Sequence, residues 1–180
     1  SGKSVVSRLL RIMGYSVYDT DSEAKRLMES SLEVVQKLSE CFGRDIYHNG
    51  RLNRGLLSSR VFGKSDKIVL LNSIVHPVVR FDFYRWSESL NEEICFVESA
   101  ILYESRFDEL VDEVWTVTAP EELRIGRVRQ RSGLTEEEIK KRMAAQLSEE
   151  EKQRRAAHII WNDGNVSVIH RVLSLLKSLE

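Results

Sequence analysis

Apolar residues three and four positions apart recur along the chain and predict amphipathic helices. The first covers residues 3–13, with Val5, Val6, Leu9, Leu10 and Met13 on one face and Gly14 as its stop. Further helices are predicted at residues 22–42 with a break near Ser30-Ser31, 54–62, 65–74, 77–90 and 165–179. We place a break at His76-Pro77 because the residue before a proline disfavours the helical conformation.

Short apolar runs between these helices predict buried strands. They lie at Tyr15–Tyr18, Ile94–Glu98, Val114–Thr118 and His158–Trp161. Strands that alternate with helices favour an α/β fold, in which a parallel sheet is covered by helices on both faces. The segment Gly43–Asn53 is predicted to be a loop with a turn at Asn49-Gly50.

Helix starts in the second half of the chain have the pattern Ser/Thr-x-x-Glu, which is typical of a capping box. In such a box the hydroxyl and the carboxylate each accept a hydrogen bond from a free backbone amide. The three cases are Thr118…Glu121, Thr135…Glu138 and Ser148…Glu151, and Pro120 suits the first turn of its helix.

Composition excludes several classes of protein. The 180 residues have a formal net charge of −1, so no overall field attracts nucleic acid or a membrane surface, and any anion site must be built locally. No apolar run approaches the ~20 residues of a membrane-spanning helix. Cys41 and Cys95 are far apart and are predicted to be buried, reduced thiols, which favours a cytoplasmic protein. We expect a monomer or a weak homo-oligomer.

The first residues, Ser1-Gly2-Lys3-Ser4, resemble the second half of a phosphate-binding loop at a helix start. Free amides and the positive end of the helix dipole would face an anion there. Lys3 would reach the β- and γ-phosphates of a nucleotide, and the Ser4 hydroxyl would bind Mg²⁺. The tetrapeptide alone is weak, and a polar terminus is the alternative. We expect roughly a dozen preceding residues, with a strand and the first loop glycine.

Acidic residues follow two of the predicted strands, where ligands bind in parallel sheets. Asp19 and Asp21 follow the first strand, and one of them could orient a hydroxyl group during phosphoryl transfer while the other caps the next helix. We favour Asp21 for the chemistry. Glu98 ends a later strand, where it could hold Mg²⁺ through water or be an ordinary carboxylate at a strand end.

Arginines lie on one face of a predicted helix, since Arg124, Arg127 and Arg131 are three and seven residues apart. Three guanidinium groups on one stripe repel each other unless an anion neutralises them, and polyphosphate is the natural candidate. The alternative is a solvated face that pairs with the glutamates at 136–138.

In order and spacing, these motifs resemble the dephospho-CoA kinase family over essentially the whole chain. The matching segments are Gly2-Lys3-Ser4, Asp19-Thr20-Asp21, Leu52-Asn53-Arg54 with Val61-Phe62, Leu71-Asn72 with His76-Pro77, Ile101-Leu102-Tyr103-Glu104, Ala119-Pro120-Glu121-Glu122, Gln130-Arg131, Ala145-Gln146 and Asn162-Asp163-Gly164. Two positions depart from the family pattern: Ala100 replaces a proline and Val5 replaces a threonine.

The resemblance implies a P-loop kinase fold with a helical substrate-binding insertion at about 23–90 and a lid at about 121–150. The core would comprise about 1–22, 91–120 and 157–180. The implied reaction is ATP-dependent phosphorylation of the ribose 3′-hydroxyl of dephospho-CoA. Another P-loop kinase, for a nucleoside monophosphate or a small sugar-like acid, and a helical scaffold protein are the alternatives.

The resemblance also implies roles for single residues. ATP would be bound by Ser1, Gly2, Lys3, Ser4, Val5, Arg131 and Asn162, and Mg²⁺ by Ser4 and Glu98. Catalysis would depend on Asp21, Lys3 and Arg127. The acceptor substrate would be bound by Asp19, Arg54 and His76.

Overall fold

The structure is a computed structural model that describes residues 1–179. The described residues form two compact units. The first comprises Ser1–Val17 together with the chain from Ala100 onward, and the second is Tyr18–Ser99. The predicted lid lies in the first unit and the predicted substrate-binding insertion in the second. The roles of both segments stay predictions.

Helices and short strands alternate along most of the chain. The helices are α1 (Lys3–Ile12), α2 (Thr20–Ser30), α3 (Leu32–Phe42), α4 (Arg54–Val61), α5 (Ser65–Ser89), α6 (Glu121–Ser132), α7 (Glu136–Ala144), α8 (Glu149–Arg155) and α9 (Val168–Leu176). The strands are β1 (Val17–Asp19), β2 (Tyr47–His48), β3 (Arg51–Leu52), β4 (Phe96–Glu98), β5 (Trp115–Thr118) and β6 (His158–Trp161). All four predicted strands are present within a few residues of the predicted bounds.

Strand pairing follows the α/β pattern. In the first unit β5 and β6 are parallel, with Trp115 opposite His158 and Thr118 opposite Trp161. Strand β1 neighbours β4. The predicted loop Gly43–Asn53 is more ordered than expected, because β2 and β3 form an antiparallel hairpin. Asn49 and Gly50 both have positive φ, as a two-residue turn between twisted strands requires.

Helix α1 buries a narrower face than predicted. Val6 and Leu10 are buried, and the helix contacts α9, whose Val172 is also buried. Val5 is 55% exposed and Met13 is 37% exposed, so these two members of the predicted apolar face do not belong to the core. The apolar spacing identifies the side of a helix, whereas the packing partner decides how wide the buried stripe is.

The predicted break at His76-Pro77 is wrong, since α5 continues through it from Ser65 to Ser89. Proline has no backbone N–H, so the carbonyl of Ser73 lacks its usual helical donor. Buried residues lie on both sides of the proline and hold the helix together: Ile74 and Val75 precede it, and Val79 and Phe83 follow it. Pro77 itself is exposed, so its ring does not disturb this packing.

Helix caps match the sequence patterns only in part. Thr135 and Glu138 form the full predicted capping box. Ser148 accepts a hydrogen bond from the Glu151 amide, but the Glu151 carboxylate pairs with Arg154 and Arg155 instead of closing the box. The box predicted for Thr118 is wrong. Thr118 is the buried last residue of β5, and Pro120 is the residue that precedes α6.

Polar contacts to Asp82 join β1 and α2 to α5 in the second unit. The Tyr18 hydroxyl donates to Asp82 Oδ2 at 2.7 Å, and Arg26 Nη2 lies 2.8 Å from the same oxygen. Burial raises the pKa of Tyr18, and the hydrogen bond to Asp82 raises it further. The phenol therefore stays a neutral donor, and β1 is held against α5 by a charge-assisted hydrogen bond.

We expect Pro77→Ala to stabilise the protein, because alanine supplies the missing amide for Ser73 and has a far higher helix propensity than proline. The free energy of unfolding should rise by about 1–3 kcal/mol, measured by urea denaturation. Phe81→Ala, at an exposed position of α5, is the matched control and should change it by less than about 0.5 kcal/mol. A Pro77→Ala variant no more stable than the parent would contradict this account of α5.

Candidate active site

The start of α1 leaves backbone amides available to an anion. Gly2 precedes the helix with a φ of 106° and offers no capping side chain, and the first turn contains no acidic residue. Lys3 is half-buried and Ser4 is exposed. An N-terminus without a cap or a nearby acid keeps the positive end of the helix dipole uncompensated, so this turn can bind phosphate.

Asn162, which follows β6, connects this turn to α6. Its side-chain Nδ2 donates to the backbone oxygen of Ser1 at 2.9 Å. Its own backbone oxygen accepts a hydrogen bond of 2.8 Å from Arg127 Nη1. Four residues predicted from the sequence to bind nucleotide or to act in catalysis, Ser1, Gly2, Arg127 and Asn162, therefore lie together.

Gly2 is required here for two reasons. Its positive φ is a conformation that residues with a side chain rarely adopt. A Cβ atom at this position would also lie only 2.0 Å from Asn162 Nδ2. The amide of Asn162 thus fills the space that a side chain would need, and it supports the turn from the side.

Basic residues surround this turn in what we call the basic cluster, formed by Lys3, Arg124, Arg127 and Lys152. Burial lowers the pKa of the Lys152 ammonium group, Glu104 and Glu149 oppose that effect, and Lys3 and Arg124 add to it. Lys152 donates to the backbone oxygen of Ala100 and to Gln146 Oε1 at 3.5 and 3.2 Å.

The α-amino group of Ser1 has a pKa lowered to about 6, first by burial and then by Lys3, Arg124 and Arg127. After burial, the causes of the lowered pKa of Ser1 are three positive charges, although the chain as a whole has a net charge of −1. The charge that an anion site needs is therefore concentrated locally, as the near-neutral composition required.

Arg124, the first residue of the predicted arginine face, forms an ion pair with Glu149. Its Nη1 lies 2.9 Å from Glu149 Oε2, and the two side chains are only 17% and 18% exposed. Arg127 and Arg131 are exposed on the same helix. The alternative pairing with the glutamates at 136–138 is wrong: Glu136 and Glu137 pair with lysines of α7, and Glu138 completes the cap at Thr135.

Glu149 and Lys152 were missed as site residues by the sequence analysis. They lie three positions apart on α8, so they share a helix face, and this spacing is the only signal in the sequence. Nothing in the linear pattern distinguishes Glu149 from its neighbours Glu150 and Glu151, because only the packing of α8 brings it to Arg124.

In the second unit, one carboxylate of the Asp19-Thr20-Asp21 segment caps the next helix, as predicted, and the role of the other stays a prediction. Asp19 caps α2 by accepting hydrogen bonds from the amides of Asp21 and Ser22 at 3.1 and 3.3 Å. Asp21 is exposed in the first turn of α2. The Thr20 hydroxyl donates to the backbone oxygen of Glu98 at 3.0 Å, so it ties this segment to the end of β4.

Arg54 and His76 belong to the same unit. Arg54, the first residue of α4, pairs with Glu29 at 3.1 Å, so it contacts α2 rather than standing as an unpaired charge. His76 is half-buried in α5, and burial lowers the pKa of its imidazole group, which favours the neutral form. Their predicted role in binding the acceptor substrate stays a prediction.

The remaining features bear on metals, thiols and membranes. Among residues 1–179 there is no cluster of three or more His, Cys, Asp or Glu side chains able to hold a metal ion. Cys41 is exposed and Cys95 is only partly buried, so the prediction that both are buried in the core is wrong. Within the described chain no helix is both long and apolar enough to cross a membrane.

Comparison with known proteins points to one family. The dephospho-CoA kinase family model matches residues 1–167. A dephospho-CoA kinase of Porphyromonas gingivalis is 38% identical over 180 residues, covering 99% of this chain and 89% of that protein. A dephospho-CoA kinase of Corynebacterium diphtheriae is 37% identical over 176 residues, covering 96% and 88%.

Comparison with solved structures bears on the fold of the chain. A crystal structure of a Thermus thermophilus protein aligns with a TM-score of 0.85 and 34% identity, covering 99% of this chain and 91% of that one. A dephospho-CoA kinase structure from Campylobacter jejuni aligns with a TM-score of 0.72 over the same shares, and at 23% identity it bears on the fold alone. The chain therefore has the predicted α/β fold of the P-loop class.

We expect Gly2→Ala to destabilise the protein through backbone strain and through displacement of the Asn162 amide. In an Asn162→Ala background only the strain remains, which should cost about 1–2 kcal/mol. The loss of unfolding free energy caused by Gly2→Ala should therefore be larger in the parent than in the Asn162→Ala background. Equal losses in the two backgrounds, measured by chemical denaturation, would show that Asn162 does not support the turn.

Proposed function

Since the chain belongs to the dephospho-CoA kinase family, we propose that Lys3, Arg127 and Asp21 each handle one part of a phosphoryl transfer. The enzyme is a kinase that phosphorylates dephospho-CoA at the expense of ATP, in coenzyme A biosynthesis. The group transferred is the γ-phosphoryl of ATP, and the acceptor is the ribose 3′-hydroxyl.

The observation that carries the assignment of roles is the uncapped start of α1 at Gly2 with the basic cluster beside it. Phosphoryl transfer spreads negative charge over the oxygens of the transferring group, so most of the catalysis is positioning and charge neutralisation. Amides at Gly2–Ser4 and the Lys3 ammonium group bind the phosphates. Arg127, oriented by its hydrogen bond to Asn162, neutralises the charge that develops during transfer.

Asp21 takes or orients the proton of the acceptor hydroxyl. Two features support this role: it is exposed in the first turn of α2, and Asp19 already supplies the cap, so Asp21 is not needed for that. Asp19, Arg54 and His76 bind the acceptor. Val5, Arg131 and Asn162 complete the nucleotide site, and Arg131 acts from α6.

The hydroxyl group of Ser4 and the carboxylate of Glu98 are each a hard oxygen ligand of the kind that Mg²⁺ prefers, besides water and phosphate. Ser4 has its hydroxyl exposed at the helix start, and Glu98 ends β4. When bound, the ion would neutralise charge on the β- and γ-phosphates. We further propose that the enzyme works in the cytoplasm, as a monomer or a weak homo-oligomer.

We expect Asp21→Asn to lower kcat about 10²–10⁴-fold, the usual range for loss of a general acid or base. ATP should still bind with near-normal affinity, because Asp21 contacts the acceptor. The measurements are a coupled kinase assay with dephospho-CoA and calorimetric titration with ATP.

Glu23→Gln is the matched control for Asp21→Asn. Glu23 is also an acid on α2, but it pairs with Arg26, so its loss should leave kcat within about twofold. Near-normal turnover by Asp21→Asn would exclude Asp21 as the proton acceptor. A nucleoside monophosphate phosphorylated faster than dephospho-CoA would exclude the proposed acceptor.

We expect Ser4→Ala to raise the Mg²⁺ concentration needed for half-maximal activity by about tenfold, a typical effect of removing one polar ligand interaction. The affinity for ATP measured without Mg²⁺ should be almost unchanged, since the backbone amide of residue 4 is kept. An unaltered Mg²⁺ dependence would show that Ser4 does not bind the ion.

A further inference from the structure

The Arg124–Glu149 ion pair is incompletely satisfied. Arg124 Nη1 bonds to Glu149, but its Nε is buried and has no hydrogen-bond partner within residues 1–179. A guanidinium group has five N–H donors, and a buried donor without a partner is costly. Structural ion pairs that are largely withdrawn from water usually satisfy their remaining donors. The unsatisfied donor therefore leaves Arg124 with hydrogen-bonding capacity that Glu149 does not use.

The surroundings of the pair are those of an anion site. The positive charges of Lys3, Arg124 and Arg127 all act on Ser1, next to the uncapped start of α1, and Glu149 acts there with the opposite sign. Glu149 also acts on Lys152, together with Glu104. The Glu104 carboxylate accepts a hydrogen bond of 2.6 Å from the Leu147 amide, so part of its charge is already engaged.

We propose that Arg124 is a further phosphate-binding residue and that Glu149 is the counter-ion which it exchanges for the nucleotide. The inference rests on the proposed function, because the exchange requires ATP at Gly2–Ser4. Before ATP binds, the Glu149 carboxylate neutralises Arg124. When the polyphosphate arrives, its oxygens take over that role, and Arg124 can offer Nε and Nη2 to them as a fork.

The proposed exchange predicts in which direction Glu149 changes the affinity for ATP. Glu149 competes with the phosphates for Arg124, and its negative charge also repels them. Both effects weaken ATP binding, so Glu149 lowers the affinity for nucleotide. If Glu149 instead only held Arg124 in position, its removal would weaken ATP binding. The two roles are therefore separated by the direction in which the affinity changes.

Glu149→Gln, which keeps the shape of the side chain and removes its charge, tests this sign. We expect it to bind ATP about three- to tenfold more tightly in calorimetric titrations. Glu150→Gln is the matched control, since Glu150 has the same charge in the same first turn of α8 but is exposed. It should bind ATP within about twofold of the parent. Unchanged or weaker binding by Glu149→Gln would overturn the proposal.

Arg124→Gln should weaken ATP binding by at least about tenfold, because a charged hydrogen-bonding group is lost from the phosphates. Adenosine, which has no phosphate, should bind the variant and the parent equally. Arg124→Lys keeps the charge without the fork, so its affinity for ATP should lie between those of the parent and Arg124→Gln. This variant also provides the test if Arg124→Gln folds poorly. ATP binding by Arg124→Gln at the parent's level would overturn the proposal.

The double variant Arg124→Gln/Glu149→Gln shows whether Glu149 acts through Arg124. The gain from Glu149→Gln should shrink to about twofold or less in the Arg124→Gln background, where only the repulsion of phosphate remains. A full gain there would mean that Glu149 does not act through Arg124 and would overturn the exchange. Failure of the parent to bind ATP would instead overturn the proposed function itself, and this inference with it.

Discussion

The backbone turn at Gly2 is the constraint on which the first unit depends. With a φ of 106° and no side chain, Gly2 starts α1 without a cap and leaves the first amides free for an anion. The Asn162 amide fills the space beside it and bonds to Ser1, while the Asn162 carbonyl holds Arg127. A single asparagine after β6 therefore contacts both the turn at the start of α1 and an arginine of α6.

Positive charge in this protein is concentrated around the start of α1. The chain has a net charge of −1, yet Lys3, Arg124, Arg127 and Lys152 are concentrated around one helix start. Such a cluster is unfavourable in the absence of an anion, because its members repel one another and Lys152 is half desolvated as well. Glu149 relieves part of that repulsion. An enzyme that binds a polyphosphate has to neutralise the same charges both with and without its substrate, and an internal carboxylate is a physical means of doing so.

Polar contacts hold the elements around the start of α2 together in the second unit. The bond from Tyr18 to Asp82 fastens β1 to α5, the pair between Arg26 and Asp82 fastens α2 to α5, and Thr20 ties the start of α2 to the end of β4. Asp19 uses its carboxylate for the cap, which leaves Asp21 exposed.

Local features of this protein could be read from the sequence because they depend on neighbours along the chain. The stop of α1 at Gly14, the break near Ser30-Ser31 and the Asn49-Gly50 turn follow from local backbone preferences, and the order of motifs identified the family. The family likeness also named Asn162, although not the contacts that give it its importance. The tertiary structure alone decided that α5 continues through Pro77, because burial of Ile74, Val75, Val79 and Phe83 outweighs one missing hydrogen bond. It alone selected Glu149 from three consecutive glutamates, since only the packing of α8 against its neighbours determines which carboxylate reaches Arg124.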